Sequence, residues 1–218
     1  MSLSKVLELA RAELGTTEDP PGSNLTKYGF WYGVDGVPWC VIFLCWLFNQ
    51  AGERMAFLGG GKTASCSMLL RWYKEQGLTV PVEDVQVGDI VILNFHGTKD
   101  TEHCGLVVET LGNGIYIQTI EGNTTKSDKN GNDQSNGGMV CAKTRYPSQI
   151  VGVCRPQYKP EEPKAIDDIT GHWAEKAIRR CIERGLLKGY PDGSFQPDKP
   201  VTRAELAVIL DRMEDDLK

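Results

Sequence analysis

The chain has 218 residues, with 24 Lys and Arg against 29 Asp and Glu, a formal charge of −5 and 40% hydrophobic residues. At about 150 residues per domain this is one or two globular units, the larger able to bury a real core. The mildly acidic balance, with no basic arm anywhere along the chain, excludes a protein held to nucleic acid or to an anionic membrane by bulk charge.

Leu3, Val6, Leu7, Ala10 and Leu14 recur at helical spacing and predict a helix over 3–14 closed by Gly15. The same stretch is too charged for a signal peptide or a membrane span, so the expectation is a chain made in a reducing cytosol without a secretion address of its own. Residues 15–37 read as a loop rich in Gly, Pro and Tyr. The run from Pro38 to Gln50 reads as a helix apolar on all sides and therefore buried, and 65–76 as a further helix closed by Gly77. β-like runs follow at 90–95, 103–109, 115–120, 140–145 and 151–155, with a polar loop over 121–138 that is expected to be mobile. Helices first and a strand meander after them predict an α+β unit, its helices packed against an antiparallel sheet.

Prolines and charges over 158–164 suit an extended linker, which divides the chain into residues 1–155, a linker 156–164 and residues 165–218. In the tail, Thr170 can cap a helix carrying Trp173, Ala177, Ile178, Cys181 and Ile182, with Gly185 past its end. Residues 190–195 form a turn signal, and Thr202 with Glu205 makes a capping box ahead of Leu206, Ile209, Leu210 and Met213. This is a small all-α helix-turn-helix unit. It is near the ~40-residue limit for independent stability and is expected to pack against something.

Seven cysteines are an odd number, so at least one thiol is unpaired. They contain no Cys-x-x-Cys, and His96, His103 and His172 do not fall at finger spacing, so no structural zinc site is expected. Cys40 follows Pro38 in the first turn of the apolar helix, where unpaired N–H groups and the helix dipole stabilise a thiolate. On the residues alone it is a nucleophile or a small core side chain. A nucleophile needs a base and a group to orient that base. Strand alternation puts His103, Gly105 and Val107 on one face, and the parity of 115, 117, 119 and 121 carries Glu121 on one face of the next strand. A hairpin around Gly112–Gly114 brings His103 and Glu121 to the same end. Asn123 either shares the orienting role or caps a turn. Cys104 points away from His103 across the pleat and reads as packing.

The segments Val37-Pro38-Trp39-Cys40, Val87-Gly88-Asp89, His103-Cys104-Gly105 and Glu121-Gly122-Asn123 resemble, in that order, the motifs of CHAP domains, the cysteine- and histidine-dependent amidohydrolases and peptidases that cut peptidoglycan. The resemblance implies a papain-like fold over residues 1–155 and a catalytic set of Cys40, His103, Glu121 and Asn123, with no cofactor. It also implies acyl transfer, as an N-acetylmuramoyl-L-alanine amidase or a stem- or bridge-peptide endopeptidase. Trp31, Tyr32 and Trp39 sit on the approach to Cys40 and either line the substrate groove or form a surface-loop cluster packed on the core. Calcium, bound by some such domains, is not expected, since Asp35 offers one carboxylate to a cation that wants six to eight oxygens.

In the tail, His172-Trp173-Ala174, Gly185 to Pro197 and Thr202-Arg203-Ala204-Glu205 resemble an S-layer homology module, which anchors proteins to secondary cell-wall polymer. That resemblance implies contact of Arg203, and of Trp173, with an acidic sugar. A cation in a first helical turn opposes the dipole, which itself hints at an anion bound there. Such modules work in threes, so a single copy implies a homotrimer. Together these features imply a phage endolysin held in the host cytoplasm until release to the wall, with peptidoglycan and acidic wall polymer as partners and neither nucleic acid nor membrane. The rivals are a non-enzymatic wall-binding protein, a host autolysin and a cytosolic thiol protease.

Overall fold

A computed structural model describes residues 3–111, 116–126, 136–159, 166–190 and 193–216. The chain divides into two compact units, residues 1–161 and 162–218. No helix among the described residues is long and apolar enough to cross a membrane.

The first unit opens with α1 (Leu3–Ala12), α2 (Lys27–Tyr32), α3 (Cys40–Gln50), α4 (Arg54–Leu58) and α5 (Cys66–Glu75). The strands then follow as β1 (Thr79–Val80), β2 (Ile90–Leu93), β3 (His103–Leu111), β4 (Tyr116–Thr124), β5 (Met139–Arg145) and β6 (Ile150–Cys154). They form one antiparallel sheet in the order β1-β6-β2-β3-β4-β5, so the meander β2 to β5 is flanked by a returning strand. Helix α3 is buried nearly all round, as its apolar sequence requires, and is the centre of the larger core. Alternation along β2 sends Ile90 and Ile92 into that core and Val91 and Leu93 into a second cluster with Val107, Ile117 and Val153.

The structure departs from the sequence reading in several places, each with a local cause. Helix α1 stops at Ala12, because Gly15 (φ 88°) turns the chain so that its N–H reaches Val140 O at 2.9 Å. Helix α2 lies inside the stretch read as loop. Its six residues carry no helical repeat, but Thr26 caps it, Gly33 (φ 91°) closes it, and Tyr28 is buried among Trp39, Phe43 and Trp46. Helix α4, five residues long, is too short to show periodicity. Strand β4 runs on through Glu121, Gly122, Asn123 and Thr124, all buried, where a polar loop was expected to begin. Residues 127–135 of that loop lie outside the described residues, and with them the expectation of mobility.

Two ties set the sheet. The Arg155 guanidinium bonds the Asp89 carboxylate at 3.0 and 2.8 Å, and Asp89 also accepts from Gln86 N at 2.9 Å, so the Gly88-Asp89 turn is locked to the end of β6. Tyr158 stacks on Phe48 at 5.7 Å and donates to Gly88 O at 2.6 Å, which places the first residues after β6 against this unit.

The second unit holds α6 (Glu175–Glu183) and α7 (Arg203–Asp216), with Ile169, Ile178 and Leu186 as its buried residues. Thr170 does not cap α6. The helix starts at Glu175, whose carboxylate accepts instead from Gly171 N at 2.8 Å. The capping box of α7 is formed reciprocally, Thr202 N to Glu205 Oε2 at 2.7 Å and Glu205 N to Thr202 Oγ1 at 3.2 Å. Asp168 accepts from Phe195 N at 2.9 Å and Gln196 N at 2.7 Å and so holds the intervening loop to the start of the unit.

The seat of α3 on β4 depends on Gly122. A Cβ there would meet Phe43 Cβ at 2.7 Å and Trp39 Cζ3 at 2.8 Å. Gly122→Ala is expected to cost about 1–3 kcal/mol by overpacking, read as a lowered denaturation midpoint. An unchanged midpoint would show that α3 is not clamped there.

Candidate active site

Cys40 is the first residue of α3 and is 5% exposed. Its N-cap, Trp39, makes no side-chain capping bond, so the positive end of the helix falls on the thiol. Cys66 holds the same position on α5, behind the Ser65 cap, and its Sγ is 3.8 Å from Cys40 Sγ. Cys104, the second residue of β3, brings a third sulfur, and the three lie within 4.8 Å of one another. The neighbouring Cys104 and Cys66 thiols, then the His103 ring, hold the Cys40 thiol well below the ordinary range despite its burial. Burial and the bonds to Cys40 and Cys66 push Cys104 well above that range. Of the three thiols, Cys40 is thus the one most disposed to ionise.

His103 is fully buried at the start of β3, and its Nε2 lies 3.1 Å from Glu121 Oε2. Nδ1 has no hydrogen-bond partner among the described residues. Burial alone lowers an imidazole pKa, but interaction with Cys40 and with Glu121 outweighs it and raises His103 to about 9. Each of the two side chains thus favours the charged form of the other.

Glu121 is held from every side. Its Oε1 accepts from Thr119 Oγ1 at 2.6 Å and Arg145 Nε at 2.8 Å, and its Oε2 accepts from Arg145 Nη2 at 2.6 Å. Burial works to raise its pKa, and the bonds from Arg145 and His103 overcome this and bring it to about 2. Phe95 closes the group, tilted against His103 at 6.1 Å and under the Arg145 guanidinium at 4.8 Å. Register explains the geometry. Leu106 pairs Ile120 and Val107 pairs Thr119, so Glu121 stands opposite Gly105 and reaches His103 on the diagonal. A Cβ at Gly105 would lie 2.7 Å from Glu121 Cγ, and glycine is what leaves that path open.

Comparison with known proteins fits both halves of the chain. Residues 31–123 match the CHAP domain and residues 165–207 the S-layer homology domain. The chain carries a CHAP domain and an SLH domain. Among curated proteins it is 41% identical over 81 residues to the outer membrane protein SlpA of Deinococcus radiodurans, covering 37% of this chain and 6% of that protein. It is 43% identical over 47 residues to the cellulosome-anchoring protein of Acetivibrio thermocellus, covering 22% and 10% respectively. The chain thus spans a small part of the curated relatives it matches. Among solved structures, the wild-type endolysin LysIME-EF1 is similar at a TM-score of 0.47 and 16% identity, over 73% of this chain and 66% of that one.

Within the CHAP domain the structure brings Cys40, His103 and Glu121 together. Asn123 is buried two residues beyond Glu121 with φ 57°, its backbone carbonyl accepting from Gly137 N at 3.0 Å. Trp39 does not line a groove. It is 0% exposed, stacks on Tyr28 and donates Nε1 to Glu18 Oε1 at 2.9 Å, because the residue before Cys40 packs under α3. Trp31 and Tyr32 are half-buried at the end of α2, and the Lys62 ammonium lies over both rings at 4.8 and 4.5 Å. Asp35 Oδ1 accepts from Thr26 N and Gly36 N, each at 3.1 Å, a structural use.

Arg145, Thr119 and Cys66 escaped the sequence reading. Cys66 alone had a signal, since Ser65-Cys66 at a helix start repeats the placement of Cys40. Cys104 lies in the larger core, and its sulfur is within 4.8 Å of Cys40 Sγ, so it borders that thiol as well as packing.

Within the SLH domain, Arg203 is exposed at the first position of α7, and Trp173 is 90% exposed beside His172. A groove of about 630 Å³ runs between Tyr190, Phe195, Pro197, Lys199, Val208 and Arg212, and neither Arg203 nor Trp173 lines it.

Glu121 has a pKa of about 2 when folded against an ordinary 4.5, so its stabilising contribution is complete above about 4.5 and is lost as pH falls through 2. Arg145→Met strands the carboxylate and is expected to cost about 3–5 kcal/mol at pH 7, the deficit narrowing in thermal unfolding between pH 4.5 and 2. A deficit constant with pH would place the role of Arg145 in packing alone.

Proposed function

We propose that this protein is a cysteine peptidoglycan hydrolase that cuts an amide bond of the wall and is held there by its SLH domain. The observation that carries this reading is Cys40 at a helix N-terminus, its pKa lowered by neighbouring thiols and by His103, with the His103 ring fixed by a buried, charge-compensated carboxylate. In this reading the Cys40 thiolate attacks the amide carbon, and first-turn N–H groups of α3 stabilise the oxyanion. His103 gives its proton to the leaving amine as the C–N bond breaks, which leaves a thioester on Cys40. Water then attacks the thioester, losing a proton to His103, and the acid departs as the thiolate is restored. Glu121 stays ionised throughout and keeps the ring oriented, and Arg145 keeps Glu121 ionised. Cleavage between muramic acid and alanine and cleavage within the stem or bridge peptide are the same chemistry at this centre.

Cys40→Ala and His103→Ala are each expected to slow clearing of a cell-wall suspension by at least about 10³-fold. Mass spectrometry of the released muropeptides then reads free muramic ends against new peptide termini. A Cys40→Ala protein that clears walls as fast as the parent would overturn the enzyme reading.

For the SLH domain we propose contact between Arg203, with Trp173, and an acidic wall polymer, and association of three chains. Support for association comes from α7, whose Leu206, Val208, Leu210 and Met213 are 47%, 48%, 53% and 41% exposed. Light scattering at micromolar concentration is expected to give a trimer, and a monomer would count against it. In a Cys40→Ala background, Arg203→Ala is expected to reduce co-sedimentation with purified walls, and undiminished sedimentation would remove Arg203 from the binding site.

A further inference from the structure

Cys40, Cys66 and Cys104 come from two helix starts and a strand, are distant in sequence, and converge without a carboxylate in the cluster. We propose that these three cysteines form a binding site for a soft divalent cation, Zn²⁺ by chemical class, and that an ion bound there silences Cys40.

Distance supports the site first. Sulfurs at the ~2.3 Å bond length of a tetrahedral zinc centre stand about 3.8 Å from one another. Cys40 and Cys66 are already 3.8 Å apart, and all three sulfurs lie within 4.8 Å, so closure about an ion takes a movement of less than about 1 Å. Donor chemistry selects the ion, because three thiols suit Zn²⁺ and related soft metals and are poor partners for Mg²⁺ or Ca²⁺. Charge favours it too. Helices α3 and α5, of 11 and 10 residues, both point their N-termini at the cluster, which stabilises the thiolates that form as the ion displaces thiol protons.

A second observation is independent of the sulfurs. Nδ1 of buried His103 has no hydrogen-bond partner among the described residues, and the ring interacts with Cys40, so His103 borders the cluster. Water can take the fourth position. Cys40 and Cys66 keep slight exposures of 5% and 8%, while Cys104 is sealed, so an ion would approach from the side of the first two. The sequence expectation of no metal rested on Asp35 and on finger spacing, and neither consideration reaches a site assembled from three separate elements.

Binding stands on the cluster alone, whereas silencing rests on Cys40 being the nucleophile. The test uses the full chain, reduced and metal-free. Titration with Co²⁺ is expected to saturate at one ion per chain, with thiolate-to-cobalt charge transfer and the intense visible bands of tetrahedral Co²⁺. Zn²⁺ should displace it and stop wall clearing reversibly, with recovery on adding a chelator. Cys66→Ala and Cys104→Val, each checked for folding by circular dichroism, should lower Zn²⁺ affinity against a chromophoric chelator by at least the roughly 100-fold that outer-shell changes reach. Weak octahedral Co²⁺ spectra, or parental affinity in both folded variants, would overturn the site. Tight thiolate binding that leaves clearing unchanged would overturn silencing and the nucleophile reading with it, while inhibition without the charge-transfer band would overturn the site and leave Cys40 as nucleophile.

Discussion

A carboxylate with no access to water is the constraint around which the first unit is arranged. Left alone, Glu121 would take up a proton or open the sheet, because an unpaired buried charge costs several kcal/mol. Arg145 neutralises it through two short bonds, Thr119 adds a third, and His103 fills the remaining position. These partners come from β3, β4 and β5, so the register of three strands is specified by one polar group as well as by the apolar faces. A one-residue slip of β4 would turn Glu121 into the packing against α3, where Gly122 now lies against Phe43 and Trp39. Charge compensation and strand register are therefore the same requirement seen at two scales.

From that anchor the polarity of the site follows in sequence. Arg145 keeps Glu121 ionised, the ionised carboxylate favours a protonated ring at His103, and the protonated ring favours a thiolate at Cys40. Each step moves a pKa in the direction that makes the next possible. Helix α3 supplies the other half of the requirement by fixing Cys40 at its positive end, and its all-apolar surface makes that position rigid, since any tilt would expose a core side chain.

What the sequence revealed and what it hid divide along a physical line. Cys40, His103 and Glu121 were legible because each rests on a local rule: a proline ahead of a buried helix, strand alternation, and hairpin parity. The antiparallel meander was legible for the same reason. Arg145 was not, since a basic residue at a strand end looks solvated until the strand is paired and its partner is known to be buried. Helix α2 was hidden because its stability comes from Tyr28 packing among three aromatic rings brought together by the fold, with no repeat in its own six residues. Glu121 to Thr124 read as loop because polarity signals solvent, except where the polar atoms are satisfied inside. Trp39 failed in the opposite sense: proximity to the nucleophile in sequence suggested access, whereas the helix start it precedes needs a large side chain beneath it.

The cysteines show how reactivity and vulnerability share one origin. A thiolate at Cys40 needs donors and a positive potential, and the chain supplies them with two further thiols and two helix ends. Hydroxyl or amide donors would serve the charge equally well and would hold a soft metal poorly. Sulfur donors are weaker hydrogen bonders, which leaves the thiolate less quenched and so a better nucleophile. The same weakness means that a cation able to replace the remaining thiol protons meets little competition. On the proposed reading, a nucleophile at Cys40 sharpened by neighbouring sulfurs is therefore open to capture by thiophilic ions, and its working state depends on how far such ions are kept from Cys40 and Cys66.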